Sequence, residues 1–280
     1  MLRIVCSCVA AALLMLVFVP APAATTRGAD LSFSSKALGA RLHYEVYLPV
    51  DYSTSGRRYP VVYFLHGLPA APTAYRSLEF VEQGLERGSR PAILVVAQGA
   101  RHGESDPEYL DRGRHDDWDT ALAKELPRVV DARFRTIADR AGRAVIGLSA
   151  GGYGALHLAL GHLDEFSAVE SWSGYFQPTN PAGTRRLELG SAGKDAKADV
   201  HRQVEAERRR LRSLPLFIAF YVGRSDTRFA QANLGLHRQL EREHLAHVFR
   251  LYRGGHSQSL WQTHAEQWLG LALSHLGAAR

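Results

Sequence analysis

Cysteine is nearly absent from this chain. The 280 residues contain two, Cys6 and Cys8, both at the extreme N-terminus. Beyond them no disulfide, no thiol nucleophile and no cysteine-ligated zinc can form. Lysine is scarce as well: Lys36, Lys124, Lys194 and Lys197 are the only four among 34 basic residues. Long apolar runs are missing after the first, Ile4 to Val19, and no later stretch approaches the roughly 20 residues that a membrane-spanning helix needs. The zinc-hydrolase pattern H-E-x-x-H does not occur. What is there is ordinary for a folded protein, with 46% hydrophobic and 22% charged residues, which excludes a wholly disordered, collagen-like or disulfide-stapled chain. The formal charge is +6.

The N-terminal run has one basic residue, Arg3, ahead of its apolar stretch, then Pro20 and small residues. That is the order of a secretory signal peptide. Ala21-Pro22-Ala23 supplies the small-x-small site, so cleavage is expected after Ala23, and an uncleaved anchor is the alternative. The expected organisation is a leader over 1–23 and one catalytic domain over 24–280, with secretion or cell-envelope residence. Both cysteines would leave with the leader.

Along the remainder, Arg41 to Leu48 alternates as a half-wet strand does, while Pro60 to Leu65 and Pro91 to Ala97 are continuous apolar runs suited to buried strands. Further strands are predicted at Ala144 to Leu148, Phe166 to Ser173, Leu216 to Val222 and Ala246 to Tyr252. Helices are predicted over 117–134, with Pro127 as a kink or restart, and over 150–160, 228–244 and 258–276. Alternating strands and helices imply an α/β fold with an about eight-stranded, mostly parallel sheet covered on both faces. The segment 177–214, charged and Gly-containing, reads as a lid-like excursion above the sheet. Its second half is helix-like and carries Arg208 to Arg210, read as a solvated helix face with no nucleic-acid partner.

The strongest chemical signal is Gly147-Leu148-Ser149-Ala150-Gly151, a G-x-S-x-G preceded by an apolar strand and followed by a helix. That context is the nucleophile elbow: a tight turn that lifts a serine hydroxyl to the strand end beside a helix N-terminus. A serine needs a base. Of 13 histidines, His256 follows the last predicted strand in Arg253-Gly254-Gly255-His256-Ser257, and strand carboxyl ends are where such sheets place their chemistry. His237, His244, His247 and His264 fall on predicted helices. Asp226, at the end of another strand, is the acid expected to orient His256, with Asp195 and Asp199 as rivals. Oxyanion donors are expected from the N–H groups of Ala150 and Leu68, because Pro69 has none. His66 reads as a structural residue of its loop. Trp172, Tyr175, Phe176 and Trp261 are candidates for a substrate pocket. His102, His115, Asp116 and Asp117 lack metal-ligand spacing and read as a polar loop, so no metal is expected.

The strand end PVVYFLHG, the stretch DWDTALAKELPRVVDARFRTIADR and the elbow AVIGLSAGGYGALHLAL together resemble the esterase D group of α/β-hydrolases, over roughly 31–275. Ser171 to Pro178, and His256-Ser257 followed by Leu260-Trp261, resemble its mycolyltransferase branch. The resemblance implies the α/β-hydrolase fold, carboxylic-ester chemistry without metal or organic cofactor, and Ser149, Asp226 and His256 as a catalytic triad. Mycolyltransferases usually carry Met after the serine and Glu as the acid, where this chain has Ala150 and Asp226. The expected substrate is a small-molecule, lipid or carbohydrate ester. Acyl transfer to a sugar or lipid hydroxyl, and non-catalytic binding of the envelope, are the alternatives. The basic balance also suits electrostatic association with an anionic envelope.

Overall fold

Strong β-formers dominate the middle of the sheet. In the computed structural model, which describes residues 28–104, 108–180 and 184–280, β3 (Val61–Leu65), β4 (Ile93–Ala97) and β5 (Arg143–Leu148) are buried along their whole length. β1 (Ala29–Ser35) and β2 (Ala40–Tyr47) precede them, and β6 (Ala168–Trp172), β7 (Phe217–Gly223) and β8 (Val248–Tyr252) follow. The eight strands lie in the order β1-β2-β4-β3-β5-β6-β7-β8. β2 pairs antiparallel with both neighbours, and every pairing from β4 to β8 is parallel. This is the α/β-hydrolase fold. β1, ADLSFSS, matches none of the strands expected from the sequence; three serines and an Asp hide its alternation. The leader expected at 1–23 lies outside the described residues.

Alternation divides the core in two. Tyr63, Leu65, Val95 and Val145 face one side of the sheet; Val62, Phe64, Leu94 and Ile146 face the other. On the second side α1 (Glu79–Arg87) packs against α8 (Gln258–Ser274). A Cβ on Gly84 would come within 2.8 Å of the Ala265 methyl, so the helix contact depends on that glycine. The first side carries α4 (Ala150–Gly161), whose residues are buried from Ala150 to Leu160. α4 is sandwiched between the sheet and α6 (Val200–Ser213), which accounts for its mostly small and apolar composition, with Tyr153 and His157 as the exceptions. α5 (Ala192–Ala198) and α7 (Ala230–Arg242) complete the longer helices on the C-terminal half.

The helix expected over 117–134 forms in three pieces: α2 (Trp118–Thr120), a π-helical turn (Ala121–Glu125) and α3 (Leu126–Arg133). Pro127 sits in the first turn of α3, where its missing N–H costs no hydrogen bond. The proline therefore restarts the helix after a widened turn. Between β6 and β7, the 177–214 segment contains α5 and α6, with Val200, Val204 and Leu211 turned inward. His244 and His247 lie in the connection from α7 to β8 rather than on a helix: His244 takes φ 53°, and His247 Nε2 bonds His237 Nδ1 at 2.8 Å. Among the described residues no helix is long and apolar enough to cross a membrane.

Candidate active site

β5 ends in the elbow. Ser149 takes φ 55° and ψ −118°, a region that non-glycine residues rarely occupy. The turn closes because its flanks lack side chains: a Cβ on Gly147 would lie 2.1 Å from the Gly151 carbonyl oxygen, and one on Gly151 would lie 2.1 Å from that of Leu65. Backbone bonds lock the strained residue. The Ser149 N–H donates to the Trp172 carbonyl at 2.8 Å, and its carbonyl accepts from Gly152 and Tyr153 at 2.9 and 3.2 Å. Its hydroxyl stands at the N-terminus of α4, where the helix field favours negative charge.

The other two groups come from neighbouring strand ends. The loops after β7 and β8 are stitched together: Arg224 N–H donates to Tyr252 O at 2.7 Å and Ser225 N–H to Gly254 O at 2.8 Å. A Cβ on Gly223 would meet Gly254 O at 2.5 Å, so this closeness also needs a glycine. The stitching places His256 Nδ1 2.8 Å from Asp226 Oδ2 and His256 Nε2 3.0 Å from Ser149 Oγ. Burial acts to raise the Asp226 carboxyl. The His256 hydrogen bond and charge, and N–H donation from Phe229 and Arg228, outweigh it and hold the group below its ordinary value. An ionised carboxylate only accepts hydrogen bonds, so the imidazole proton sits on Nδ1 and Nε2 is left to accept from the serine hydroxyl. The edge of Phe229 and of Trp261 meets the imidazole at ring separations of 5.3 and 5.1 Å. Trp261 is itself held by Nε1–H donation to Ser173 Oγ at 3.0 Å.

The rival acids have other tasks. Asp199 caps α6, accepting from His201 and Arg202 N–H groups, and Asp195 accepts from Leu189 N–H. The Ala150 N–H opens α4, where no intrahelical acceptor exists. Leu68 approaches across Gly67, at which a Cβ would come within 3.0 Å of the Ser149 Cβ. His66 is buried, with Nδ1 2.8 Å from Gly67 O. Burial lowers its pKa against a weaker opposing effect of that backbone bond.

A cleft of about 750 Å³ opens over Ser149 and His256. Of the four residues expected in a substrate pocket, Tyr175 and Trp261 line it, and so does Leu68, expected as an oxyanion donor. Trp172 and Phe176 do not. Trp172 is turned into the core between Phe64 and Trp268, with Nε1–H donated to Glu170 Oε2 at 2.9 Å. Phe176 packs on Phe220 and His201. Both residues do leave β6 beside the elbow, but the strand's alternation and the turn after it send their rings inward. Leu78, Phe80, Thr179, Arg228 and Phe229 line the cleft without having been anticipated. For Arg228 and Phe229 a signal existed: both follow Asp226 closely, in the turn whose N–H groups it caps. His102, His115, Asp116 and Asp117 lie in the loop before α2, where Arg101 binds Asp116, Glu104 and the His115 carbonyl. Among the described residues no group of three or more His, Cys, Asp or Glu is arranged to hold a metal ion.

The sequence profile of the Esterase family matches residues 35–267. The chain belongs to the Esterase family. Esterase Rv1288 of Mycobacterium tuberculosis (strain ATCC 25618 / H37Rv) is 36% identical over 155 residues, which is 55% of this chain and 32% of that protein. The diacylglycerol acyltransferase/mycolyltransferase Ag85A of Mycobacterium leprae (strain TN) is 38% identical over 85 residues, 30% of this chain and 25% of that protein. The matched stretches thus span a third or less of these curated relatives. Among solved structures, the S-formylglutathione hydrolase from Agrobacterium tumefaciens superposes with a TM-score of 0.75 at 18% identity, covering 91% of this chain and 98% of that one. These likenesses place the protein in the esterase D and mycolyltransferase-like group of α/β-hydrolases.

This esterase-family chain holds a second cavity, of about 950 Å³, between the 187–207 part of the excursion and α4. It shares no lining residue with the cleft. Asp119 lies in it with both carboxylate oxygens occupied, one by His157 Nε2 at 3.1 Å and the other by His162 Nε2.

Proposed function

We propose that this protein is an exported serine esterase whose reaction runs through Ser149, His256 and Asp226. The observation that carries the reading is the continuous pair of contacts from Ser149 Oγ to His256 Nε2 and from His256 Nδ1 to Asp226. Ser149 Oγ attacks the ester carbonyl carbon while its proton passes to His256 Nε2, and Asp226 stabilises the imidazolium that results. Negative charge collects on the carbonyl oxygen, which accepts from the N–H groups of Leu68 and Ala150. Collapse expels the alcohol, which takes the proton from Nε2 and leaves an acyl-Ser149 ester. Water then repeats the attack with His256 as base, releasing the acid and regenerating the serine. No step calls on a metal or an organic cofactor.

Export rests on the leader-like N-terminus, and the absence of cysteine beyond it leaves the proposed mature protein stabilised by its core alone. Association with an anionic envelope follows from the positive balance and predicts release from cells by high salt. Retention at high salt counts against it.

The test is hydrolysis of a p-nitrophenyl ester series, acetate to palmitate, by the protein from residue 24 onward, with Ser149→Ala as the control. Turnover is expected to fall by roughly three or more orders of magnitude on that substitution. Equal turnover by the variant sinks the mechanism. If no ester is turned over and a fluorophosphonate fails to label the protein, the binding-protein alternative takes over. A second reading, acyl transfer, is favoured by the 85-residue similarity to Ag85A. Adding trehalose or glycerol tests it: acylated acceptor supports transfer, and free acid alone supports hydrolysis.

A further inference from the structure

We infer that the cleft selects esters bearing a negative charge, which Arg228 receives; the inference rests on the esterase reading above. Among the described residues that line the cleft, Arg228 is the one Lys, Arg, Asp or Glu. Its neighbours there are apolar (Leu68, Leu78, Phe80) or uncharged and polar (Thr73, Thr179, Gln258). An acidic group entering the cleft therefore meets one cation and no lining carboxylate, because Asp226 is buried behind His256.

Arg228 is also held at that spot. Its backbone N–H donates to Asp226 Oδ1 at 3.1 Å. Its guanidinium carbon lies 5.0 Å from the centroid of the Phe229 ring, and that ring meets the His256 imidazole at 5.3 Å. One aromatic ring thus links the cation to the proposed base. Elsewhere on the surface, Arg57, Arg76, Arg101 and Arg208 each sit against an acid of this chain. No carboxylate among the described residues lies within ion-pair distance of Arg228, and its side chain is exposed. A guanidinium fork pre-placed on an aromatic face fits the paired oxygens of a carboxylate or phosphate. The charge can belong to the acid or to the alcohol part of the ester, since both pass through the same cleft.

Two matched pairs of esters separate these sources. The acyl pair is p-nitrophenyl hydrogen glutarate and p-nitrophenyl methyl glutarate; the alcohol pair is p-acetoxybenzoate and its methyl ester. The readout is the anionic-to-neutral ratio of kcat/KM within each pair, for the wild type, Arg228→Gln and Arg228→Lys. In at least one pair the wild-type ratio should exceed that of Arg228→Gln by roughly three- to tenfold, the scale of an exposed, solvent-screened contact. The difference should lie mainly in KM, recover in part with Arg228→Lys, and shrink as salt rises. The pair that responds identifies the part of the ester carrying the charge. Because each ratio is taken within one protein, partial loss of folded variant cancels. Equal ratios in wild type and Arg228→Gln for both pairs, with the neutral esters turned over, overturn the inference and leave the esterase reading standing. If the wild type turns over none of the four esters, the esterase reading falls and takes this inference with it.

Discussion

Two aspartates in this protein each hold histidine, and the two arrangements differ in what they leave free. Asp226 binds His256 through Nδ1, so Nε2 points away from the carboxylate and meets Ser149 Oγ at 3.0 Å. Asp119 binds His157 and His162 both through Nε2. His157 Nδ1 is buried and has no hydrogen-bond partner among the described residues, and its burial withholds that nitrogen from a reacting group. The same pair of residue types therefore leaves a ring nitrogen facing a hydroxyl in one place and makes a closed knot in the other. What distinguishes them is which ring nitrogen the carboxylate takes, and whether a hydroxyl stands beyond it.

Asp226→Asn breaks the comparison most sharply. The amide no longer enforces the proton on Nδ1, so ester turnover should fall by about two to four orders of magnitude. Asp119→Asn should leave turnover within about twofold, since Asp119 lies in a cavity that shares no lining residue with the cleft. Steady-state kinetics on the two variants checks both, and comparable losses would erase the distinction between the two aspartates.

The second difference is in stability. Asp119→Asn takes the charged acceptor from both histidines and turns an amide N–H towards one of them, at a cost of about 1–3 kcal/mol in denaturant unfolding at pH 7. Burial tends to raise the Asp119 carboxyl, but the hydrogen bonds and charges of His157 and His162 hold it well below 3.8. A lowered folded-state pKa means that the contribution is present above the unfolded value and lost as pH falls through the folded one. The gap between wild type and variant should accordingly close in acid. A gap that persists unchanged at low pH would show that packing, not ionisation, sets it.

Glu170 sharpens the same contrast with the smallest effect. It is a buried acid with no histidine. It accepts from Trp172 Nε1 and the Tyr221 hydroxyl, and burial pushes it up to about 8 against the weaker pull of those two bonds. The sign is now reversed. Below 4.5 its contribution is complete, and it is lost as pH rises towards 8. Glu170→Gln keeps the shape, and its amide can donate to the Tyr221 oxygen while accepting from Trp172. The variant's Tm should fall by less than the wild type's between pH 5 and pH 8, by a few degrees. Parallel curves would mean that Glu170 does not titrate in that window.

Much of this was legible in the chain itself. The central strands are short apolar runs, VVYFL, ILVVA and RAVIGL, rich in the β-formers that suit a covered sheet. Ser149 was legible because an elbow requires glycine on both sides, and Gly147 and Gly151 are the positions where a Cβ would strike backbone. His256 and Asp226 were legible from their place at strand ends. β1 was not, because ADLSFSS alternates too weakly to stand out and gains its partner only when β2 folds back on it. Trp172 and Phe176 do lie near the elbow, but their rings pack into the two cores on opposite sides of the sheet and not into the cleft at the strand ends, a choice that the helices laid against the sheet decide. For Arg228 and Phe229 the closeness to Asp226 was legible, but where their side chains point was not, because a turn's side-chain directions are set by its hydrogen bonds.

The sequence by itself determined the α/β architecture and the type of chemistry, because hydrophobic period and the G-x-S-x-G spacing are read along the chain without any distant contact. Only the tertiary structure decided how His256, marked in the sequence by its place after a strand, comes to lie with Nε2 3.0 Å from Ser149 Oγ. Ser149 and His256 lie 107 positions apart, and their distance is fixed by parallel strand register and by the stitching of the β7 and β8 loops, which no local pattern encodes. The same holds for Asp119 and its two histidines: the carboxylate on α2 meets His157 of α4 and His162 just beyond it, a pairing that only tertiary packing creates.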